Sequence, residues 1–357
     1  DDISSSEIRS AETVRKKISR EKKMSIKVLV FGEEQEERED IRRRLDIPQI
    51  SKVDFAEGVL TSENASQTKG YELVWLITNS IIGEKESAEL ERYGVKYIVT
   101  RSAGFDHLDI SALKRHNICA ANVPEYSPGA ISEHTVLLLL AMIRQLKRQI
   151  QMTESGNFTL NGILGKELAD MTVGIIGAGR IGSRTIQILR GFGCTILVHT
   201  LYPDDSLASM VTYTNRDDLL EHSDAVILHC PLTGANYHEF SQETIDKMKK
   251  GAVLINTARG GLVDARAVLD SLEKGKMGGF AFDVYEDEDK YIRTVDPKYD
   301  DEIFWKLTRR DDVIYTAHTA FYTKEATEQL IRVTAENVIS YASHRRCRNE
   351  ITEKGAI

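Results

Sequence analysis

A glycine-rich turn lies between a buried strand and a helix near the middle of this chain. Residues 172–176 form an apolar run, residues 177–182 match GxGxxG, and a helical pattern continues from Ile181 to Leu189. In such a unit the first glycine (Gly177) allows a tight turn, the second (Gly179) lets the backbone approach a pyrophosphate, and the third (Gly182) lets helix and strand pack closely. The helix N-terminus then presents unpaired N–H groups to the phosphates. The sequence therefore predicts a dinucleotide-binding unit.

Short apolar strands alternate with helical stretches along the chain, which predicts parallel sheets covered by helices on both faces. The first series comprises a strand at 26–32, a strand at 73–77, a helix at 84–93 and a strand at 96–99. The second series continues from the glycine turn with strands at 195–198, 225–229, 252–255, 279–282 and 313–315. The expected fold class is α/β, with two Rossmann-like or flavodoxin-like domains and a cleft between them.

A long helix is predicted from Ala130 to Met152, because this stretch contains no glycine or proline, and it joins the two series. We expect a dinucleotide-binding domain at 126–318. The substrate domain is expected to consist of 24–125 and to be rejoined by 319–357. Residues 1–23 are polar and are interpreted as an N-terminal extension outside the fold, with Met24 as the natural start.

Composition narrows the class of protein further. The net charge of −8 argues against a nucleic-acid or anionic-membrane partner. The longest apolar run, residues 136–143, is far shorter than the roughly 20 residues that span a bilayer. None of the four cysteines forms a CxxC pair, so we expect buried free thiols, a reducing cytoplasmic compartment and no metal site.

Charged and titratable residues follow three later strands. Arg259 comes after the strand that ends at Ile255, Asp283 comes after the strand that ends at Phe282, and His318 follows the last strand. Because the carboxyl ends of parallel strands border one crevice, these residues are candidates for an anion clamp, a carboxylate and a proton donor.

These segments resemble the D-isomer-specific 2-hydroxyacid dehydrogenase family, and the resemblance extends from Met24 to about Ser343. It includes residues 101–109 (RSAGFDHLD), 122–128 (NVPEYSP) and 229–233 (HCPLT). Within the family they are most similar to the D-lactate dehydrogenase branch, including enzymes of the vancomycin-resistance type. The resemblance implies reversible hydride transfer between NAD(P)H and a 2-oxo acid such as pyruvate, in a homodimer that uses the long helix as a contact. D-2-hydroxyisocaproate or aryl-lactate dehydrogenase is the alternative. A dinucleotide-sensing protein similar to the C-terminal-binding corepressors is the alternative from another class.

The resemblance also implies a role for each site residue. Arg259 would bind the substrate carboxylate and polarise the 2-oxo group, and His318 would donate the proton during reduction. Glu288, five residues after Asp283, would be the acid beside the histidine, whereas Glu286 has the wrong spacing. Asp283 would hold the nicotinamide carboxamide. The substrate would be contacted by Ala103, Gly104, Tyr126 and Phe321, and the dinucleotide by Gly177, Gly179, Arg180, Ile181, Gly182, Thr200, Cys230, Pro231, Asn236, Thr257 and Ala258.

Two positions depart from the family pattern. Thr200 stands where an acid normally binds the adenosine ribose, and no lysine or arginine follows closely, whereas Asp204 and Asp205 do. The choice between NAD and NADP therefore stays open, with NAD slightly favoured. Ala317 stands where proline is common, and we expect little chemical consequence.

Overall fold

The structure is a computed structural model that describes residues 25–33, 35–286, 288, 292 and 300–352. The expected N-terminal extension 1–23 and Met24 lie outside this part of the chain. The described residues form two compact units. The first unit runs up to Tyr126 and resumes at Lys324, and the second is Ser127–Thr323.

Strands and helices alternate through both units. The strands are β1 (Ile26–Phe31), β2 (Ile50–Ala56), β3 (Leu73–Leu76), β4 (Tyr97–Thr100), β5 (Cys119–Ala121), β6 (Thr172–Ile176), β7 (Thr195–His199), β8 (Thr212–Tyr213), β9 (Ala225–Leu228), β10 (Ala252–Asn256), β11 (Met277–Phe282) and β12 (Val313–Tyr315). The α-helices are α1 (Gln35–Arg44), α2 (Glu84–Tyr93), α3 (Ile110–Arg115), α4 (Pro128–Ile143), α5 (Leu146–Glu154), α6 (Arg180–Arg190), α7 (Arg216–His222), α8 (Gln242–Lys247), α9 (Ala265–Glu273), α10 (Glu302–Thr308) and α11 (Lys324–Ala342).

The first unit contains a five-stranded parallel sheet in the order β2-β1-β3-β4-β5. Alternate side chains of its central strands enter two apolar clusters, one on each face. Trp75 packs with Val338 of α11 on one face, and Val74 packs with Leu90 of α2 on the other. Helix α11 therefore returns the C-terminal part of the chain to the first sheet.

The second unit contains a seven-stranded parallel sheet in the order β12-β11-β10-β9-β6-β7-β8. Strand β6 lies between β7 and β9, so the direction in which strands are added reverses beside it. Ligands of open α/β sheets bind at such a switch point, outside the carboxyl ends of the strands. The glycine turn directly after β6 lies at this position. The expected α/β class with two parallel sheets is confirmed.

The prediction of one helix from Ala130 to Met152 is wrong, because this stretch forms two helices, α4 and α5. The chain leaves α4 after Ile143, and Gln145 has a left-handed φ of 52°. The Ile143 carbonyl accepts a hydrogen bond from the Lys166 N–H (3.0 Å), and the Gln145 side chain donates to the Leu164 carbonyl (2.8 Å). The break is thus stabilised by a distant loop and needs neither glycine nor proline.

The boundary between the units also differs from the expected one. The compact second unit runs from Ser127 to Thr323, whereas we expected the dinucleotide-binding domain to span 126–318. Backbone N–H groups of Thr319 and Ala320 donate to the Asp283 carboxylate, and these hydrogen bonds hold the segment after His318 in the second unit.

All four cysteines are free thiols. Cys347 is buried, whereas Cys119, Cys194 and Cys230 are only partly buried, so the expectation of burial is correct for one of the four. Within the described ranges, no helix has the length and apolar character needed to cross a membrane.

Candidate active site

The three glycines of the GxGxxG turn meet three different surroundings. Gly177 has a φ of +95°, and a Cβ there would lie 2.7 Å from the His229 carbonyl oxygen. A Cβ on Gly182 would lie 2.1 Å from the Gly177 carbonyl oxygen, so helix α6 packs directly against the turn. A Cβ on Gly179 would meet nothing within 4 Å. This open side is where a pyrophosphate can approach the backbone, and the turn therefore fits a dinucleotide.

Helix α6 begins at the open side of the turn. Its N-cap is Gly179, which has no side chain to accept from the first N–H groups of the helix. Arg180 is exposed and Ile181 is half-buried at this end. The Ser132 hydroxyl of α4 donates to the Ile181 carbonyl (2.9 Å) and ties the two helices together. The helix N-terminus and the helix dipole favour an anion here.

Thr200 directly follows β7, beside the glycine turn. The preceding residue, His199, accepts a hydrogen bond from the Gly177 N–H (2.9 Å). The Thr200 hydroxyl accepts from the Tyr202 N–H at 3.4 Å. The Asp204 carboxylate accepts from the Ser206 N–H (2.8 Å), and hydrogen bonding to Ser206 lowers the pKa of Asp204. Position 200 thus offers a neutral hydroxyl where a carboxylate would repel a 2′-phosphate.

The turn after β9 is closed by Asn236. Its side-chain oxygen accepts from the Thr233 N–H (2.6 Å), and its amide nitrogen donates to the Pro231 carbonyl (2.8 Å). Burial raises the pKa of Cys230 to about 11, so this thiol stays protonated. Asn236 shapes the loop, and Cys230 contributes no thiolate.

The turn that carries His318 is strained. Ala317 has a φ of 50° and His318 a φ of 56°. Left-handed residues other than glycine cost on the order of 1–3 kcal/mol each and persist where their surroundings hold them. Asp283 supplies those restraints, because its carbonyl accepts from the His318 N–H (2.6 Å) and its carboxylate accepts from the backbone of Thr319 (2.8 Å) and Ala320 (3.0 Å).

This geometry corrects the expectation that alanine at position 317 has little consequence. Proline fixes φ near −65° and cannot adopt the φ of 50° that Ala317 has here. Proline is therefore excluded from this conformation of the turn, whereas alanine can adopt it.

Glu288 and His318 form the closest pair of catalytic candidates. His318 Nδ1 lies 2.5 Å from Glu288 Oε1, and the other carboxylate oxygen accepts from the Tyr285 N–H (2.7 Å). Glu288 is buried, so its charge faces the ring in a low-dielectric setting. With Nδ1 turned to the carboxylate, Nε2 is the ring nitrogen left for a substrate.

Glu286 has a different set of partners. Its carboxylate contacts His238 Nε2 (2.8 Å) and accepts a hydrogen bond from the Tyr237 hydroxyl. His238 has a left-handed φ of 51°. The two glutamates therefore contact different residues. Glu288 contacts His318, and Glu286 contacts Tyr237 and His238.

Arg259 lies in a turn that packs against the segment leading to Glu288. The Asn256 amide donates to the Arg259 carbonyl (2.8 Å), and Arg259 Nη1 donates to the Ala258 carbonyl (2.8 Å). A Cβ on the next residue, Gly260, would lie 2.2 Å from the Tyr285 carbonyl carbon, so the two backbones touch. Thr257 is anchored to helix α4 through a hydroxyl contact with Thr135 (2.7 Å).

His134 also belongs to this network, although no sequence motif indicates it. Thr316 donates its hydroxyl proton to Asp283 (2.6 Å), so it accepts from His134 Nε2 at 3.0 Å. Burial lowers the pKa of His134, which favours the neutral ring with its proton on Nε2. His134 comes early in α4, far along the chain from the strand ends, and no sequence signal links it to Thr316.

The remaining candidates divide between the units. Phe321 belongs to the second unit, and its ring centroid lies 6.1 Å from that of His318. Ala103, Gly104 and Tyr126 belong to the first unit. The Asn122 side-chain amide donates a hydrogen bond to the Ala103 carbonyl (2.7 Å), and this bond holds the loop after β4. The N–H groups of Ala103 and Gly104 have no hydrogen-bond partner among the described residues, which suits an anionic ligand.

A glycine turn at the switch point of a parallel sheet, with a buried carboxylate–histidine pair at the ends of later strands, defines a dinucleotide-dependent oxidoreductase. Residues 136–320 match the NAD binding domain of the D-isomer specific 2-hydroxyacid dehydrogenases. The chain belongs to this family, as the sequence resemblance predicted, and its substrates are small 2-hydroxy and 2-oxo acids.

Individual relatives agree over most of the chain. The D-lactate dehydrogenase of Escherichia coli is 34% identical over 303 residues, which cover 84% of this chain and 92% of that enzyme. A D-specific alpha-keto acid dehydrogenase of Enterococcus faecalis is 38% identical over 317 residues, or 88% of this chain and 95% of that one. The crystal structure of D-lactate dehydrogenase from Aquifex aeolicus, complexed with NAD and lactic acid, matches with a TM-score of 0.80 and 31% identity, covering 89% of this chain and 96% of that one.

Proposed function

We propose that this protein is a D-lactate dehydrogenase that interconverts pyruvate and D-lactate with NAD. The observation that carries the proposal is the buried Glu288 carboxylate on His318 Nδ1, at a turn restrained by Asp283. The D-lactate dehydrogenase relatives in Escherichia coli and Aquifex aeolicus support the choice of substrate.

Glu288, His318 and Arg259 each have a separate role in the proposed reaction. Glu288 orients the imidazole and stabilises the imidazolium, and His318 Nε2 gives its proton to the 2-oxo oxygen during reduction. Arg259 binds the substrate carboxylate through its planar fork and polarises the carbonyl. Bound NADH supplies the hydride to the carbonyl carbon. During oxidation of D-lactate, His318 takes the proton back.

We assign the unit Ser127–Thr323 to the dinucleotide and the unit around the first sheet to the substrate. The open side of Gly179 and the N-terminus of α6 would receive the pyrophosphate, and Asp283 would hold the carboxamide. The other proposed dinucleotide contacts are Gly177, Arg180, Ile181, Gly182, Thr200, Cys230, Pro231, Asn236, Thr257 and Ala258.

The proposed substrate contacts favour a small acid. The N–H groups of Ala103 and Gly104 would bind its carboxylate, and the Phe321 ring beside His318 would form an apolar wall for its methyl group. We also propose Tyr126, a residue of the first unit, as a substrate contact.

For the cofactor we propose NAD, with weaker rejection of NADP than an acid at position 200 would give. Thr200 provides one hydroxyl for the ribose and no negative charge against a 2′-phosphate. Asp204, which is exposed nearby, would add partial repulsion.

We also propose a homodimer that uses α4, α5 and the loop after them. Leu137, Ile150, Phe158, Leu160 and Leu164 are all large apolar residues of this region, and each is at least 48% exposed. Such a concentration of exposed apolar side chains is typical of a protein interface. Sedimentation equilibrium of the wild type and Leu160→Asp tests this, and a wild-type monomer would contradict it.

The test of the function is a panel of 2-oxo acids, each with NADH and NADPH, with the product resolved by chiral chromatography. We expect pyruvate to give D-lactate with the highest kcat/KM, and an L product would overturn the proposal. His318→Ala should lower kcat by about 10²–10⁴-fold while NADH binding is retained. Branched or aryl 2-oxo acids as the best substrates would favour the D-2-hydroxyisocaproate or aryl-lactate alternative, and binding without turnover would favour a corepressor-like protein.

A further inference from the structure

A carboxyl group is buried at the carboxyl end of β1, in the first unit. The Glu33 side chain is fully buried, and its Oε1 accepts a hydrogen bond from the Trp75 indole N–H (2.7 Å). Its Oε2 lies 2.8 Å from Arg101 Nη1. The same nitrogen donates to Glu37 Oε2 at 2.7 Å. Two carboxyl groups therefore lie within 3 Å of one guanidinium nitrogen, and only Glu37 accepts a hydrogen bond from it, because Glu33 Oε2 has no hydrogen-bond partner among the described residues.

The charge of this cluster depends on one proton. With both glutamates ionised the cluster of Glu33, Glu37 and Arg101 carries a net charge of −1, and with Glu33 protonated it is neutral. Burial raises the pKa of Glu33 to about 8, Arg101 opposes that shift, and Glu37 adds to it. This raised pKa favours the protonated form of Glu33 at neutral pH.

The neighbouring helix adds one more pair of charges. Arg38 of α1 faces Glu33 through a hydrogen bond from its Nε to the Glu33 carbonyl (3.2 Å), and its guanidinium is already paired with Glu57 (2.8 Å). This pair is formally neutral, so it does not offset the ionisation of Glu33.

Arg101 leads directly into the loop of Ala103 and Gly104. Its own N–H donates to the Leu76 carbonyl (2.9 Å), and the next residue, Ser102, donates its hydroxyl to the Gly104 carbonyl (2.7 Å). Hydrogen bonds therefore hold the backbone on both sides of Ser102, directly after Arg101. A net negative charge at its base disfavours an anion at its N–H groups.

We propose that Glu33 is a positioning residue that couples binding of the 2-oxo acid anion to a proton held in the first unit. The protonated carboxyl leaves Arg101 paired with Glu37 alone and the base of the loop neutral. Ionisation of Glu33 releases its proton to solvent and weakens binding of the substrate carboxylate. This inference rests on the proposed role of the Ala103–Gly104 loop.

The experiment measures kcat and KM for pyruvate between pH 6 and pH 9.5 in the wild type, Glu33→Gln and Glu37→Gln. In the wild type we expect KM to rise about five- to tenfold as pH increases through about 8. Glu33→Gln mimics the protonated acid and should reduce this rise, whereas the pH dependence of kcat should stay as in the wild type. Glu37→Gln removes the like charge and should move the rise to lower pH.

A second experiment follows the titration of Glu33 without substrate, by measuring Tm as a function of pH. Because its folded-state pKa is raised, the wild type should lose thermal stability relative to Glu33→Gln as pH rises from about 5 to about 8, and the difference should then level off. A constant difference in Tm across this range would overturn the titration of Glu33. An unchanged KM profile in Glu33→Gln, with turnover intact, would overturn its link to substrate. Absence of pyruvate turnover in the wild type would instead contradict the proposed function.

Discussion

Alanine substitutions at two glycines of the GxGxxG turn, Gly182 and Gly179, should separate an effect on stability from an effect on cofactor binding. Gly182 lies inside helix α6, where alanine would improve helix propensity by about 1 kcal/mol. Its Cβ, however, would lie 2.1 Å from the Gly177 carbonyl oxygen, and this backbone oxygen cannot swing aside as the end of a flexible side chain could. The helix would have to shift by more than an ångström.

Such overpacking typically costs about 1–3 kcal/mol, and the contact with backbone places Gly182→Ala towards the upper end. After the gain in propensity, we expect a net loss of about 1–2 kcal/mol. For a domain of this size that corresponds to a fall in Tm of roughly 2–8 °C. Affinity for NADH should fall as well, because the shift moves the N-terminus of α6.

Gly179→Ala is the matched control. Gly179 has a φ of −68° and a ψ of −164°, which alanine adopts without strain, and its Cβ would meet nothing within 4 Å. Its free energy of unfolding should therefore stay within about 0.5 kcal/mol of the wild type. The new methyl group would occupy the side where the pyrophosphate approaches, so the Kd for NADH should rise at least about tenfold, or roughly 1.4 kcal/mol.

Thermal unfolding followed by circular dichroism and titration of NADH by fluorescence measure the two effects independently. A Gly182→Ala protein as stable as the wild type would show that α6 does not pack against the turn. Wild-type affinity for NADH in Gly179→Ala would refute the approach of the dinucleotide to this backbone.

Three further changes test the catalytic turn and the ribose position. Glu288→Gln should lower kcat with pyruvate by about 10²-fold or more, because the neutral amide no longer stabilises the charged His318 ring, whereas Glu286→Gln should keep nearly wild-type kcat. Equal losses in steady-state assays would contradict this division of roles. Ala317→Pro should lose most turnover and keep NADH binding, because proline cannot adopt the φ of 50° found there, and full kcat would show that the turn does not depend on it. Thr200→Asp should shift the ratio of kcat/KM values towards NADH by at least about tenfold, equivalent to roughly 1.4 kcal/mol, and no shift would mean that position 200 does not face the ribose.

Local patterns in the sequence determined the framework of this protein. The strand Thr172–Ile176 and the helix Glu84–Tyr93 have the predicted bounds, since their apolar spacing and flanking glycines act within a few residues. Strands β2, β5 and β8 were not predicted. Strand β8 is only Thr212–Tyr213, and it exists because it pairs with β7 at the sheet edge.

Only the tertiary structure decided how the candidate side chains are held. The break at Gln145 depends on the loop near Leu164, and the contact of His134 with Thr316 joins residues 182 positions apart. The left-handed turn at Ala317 and His318 forms because Asp283, more than 30 residues earlier, accepts from the N–H groups of His318, Thr319 and Ala320. Sequence periodicity reports which face of an element is apolar. Hydrogen bonds between distant segments appear only after the sheet has brought its strand ends together, and they fix the geometry of the catalytic turn.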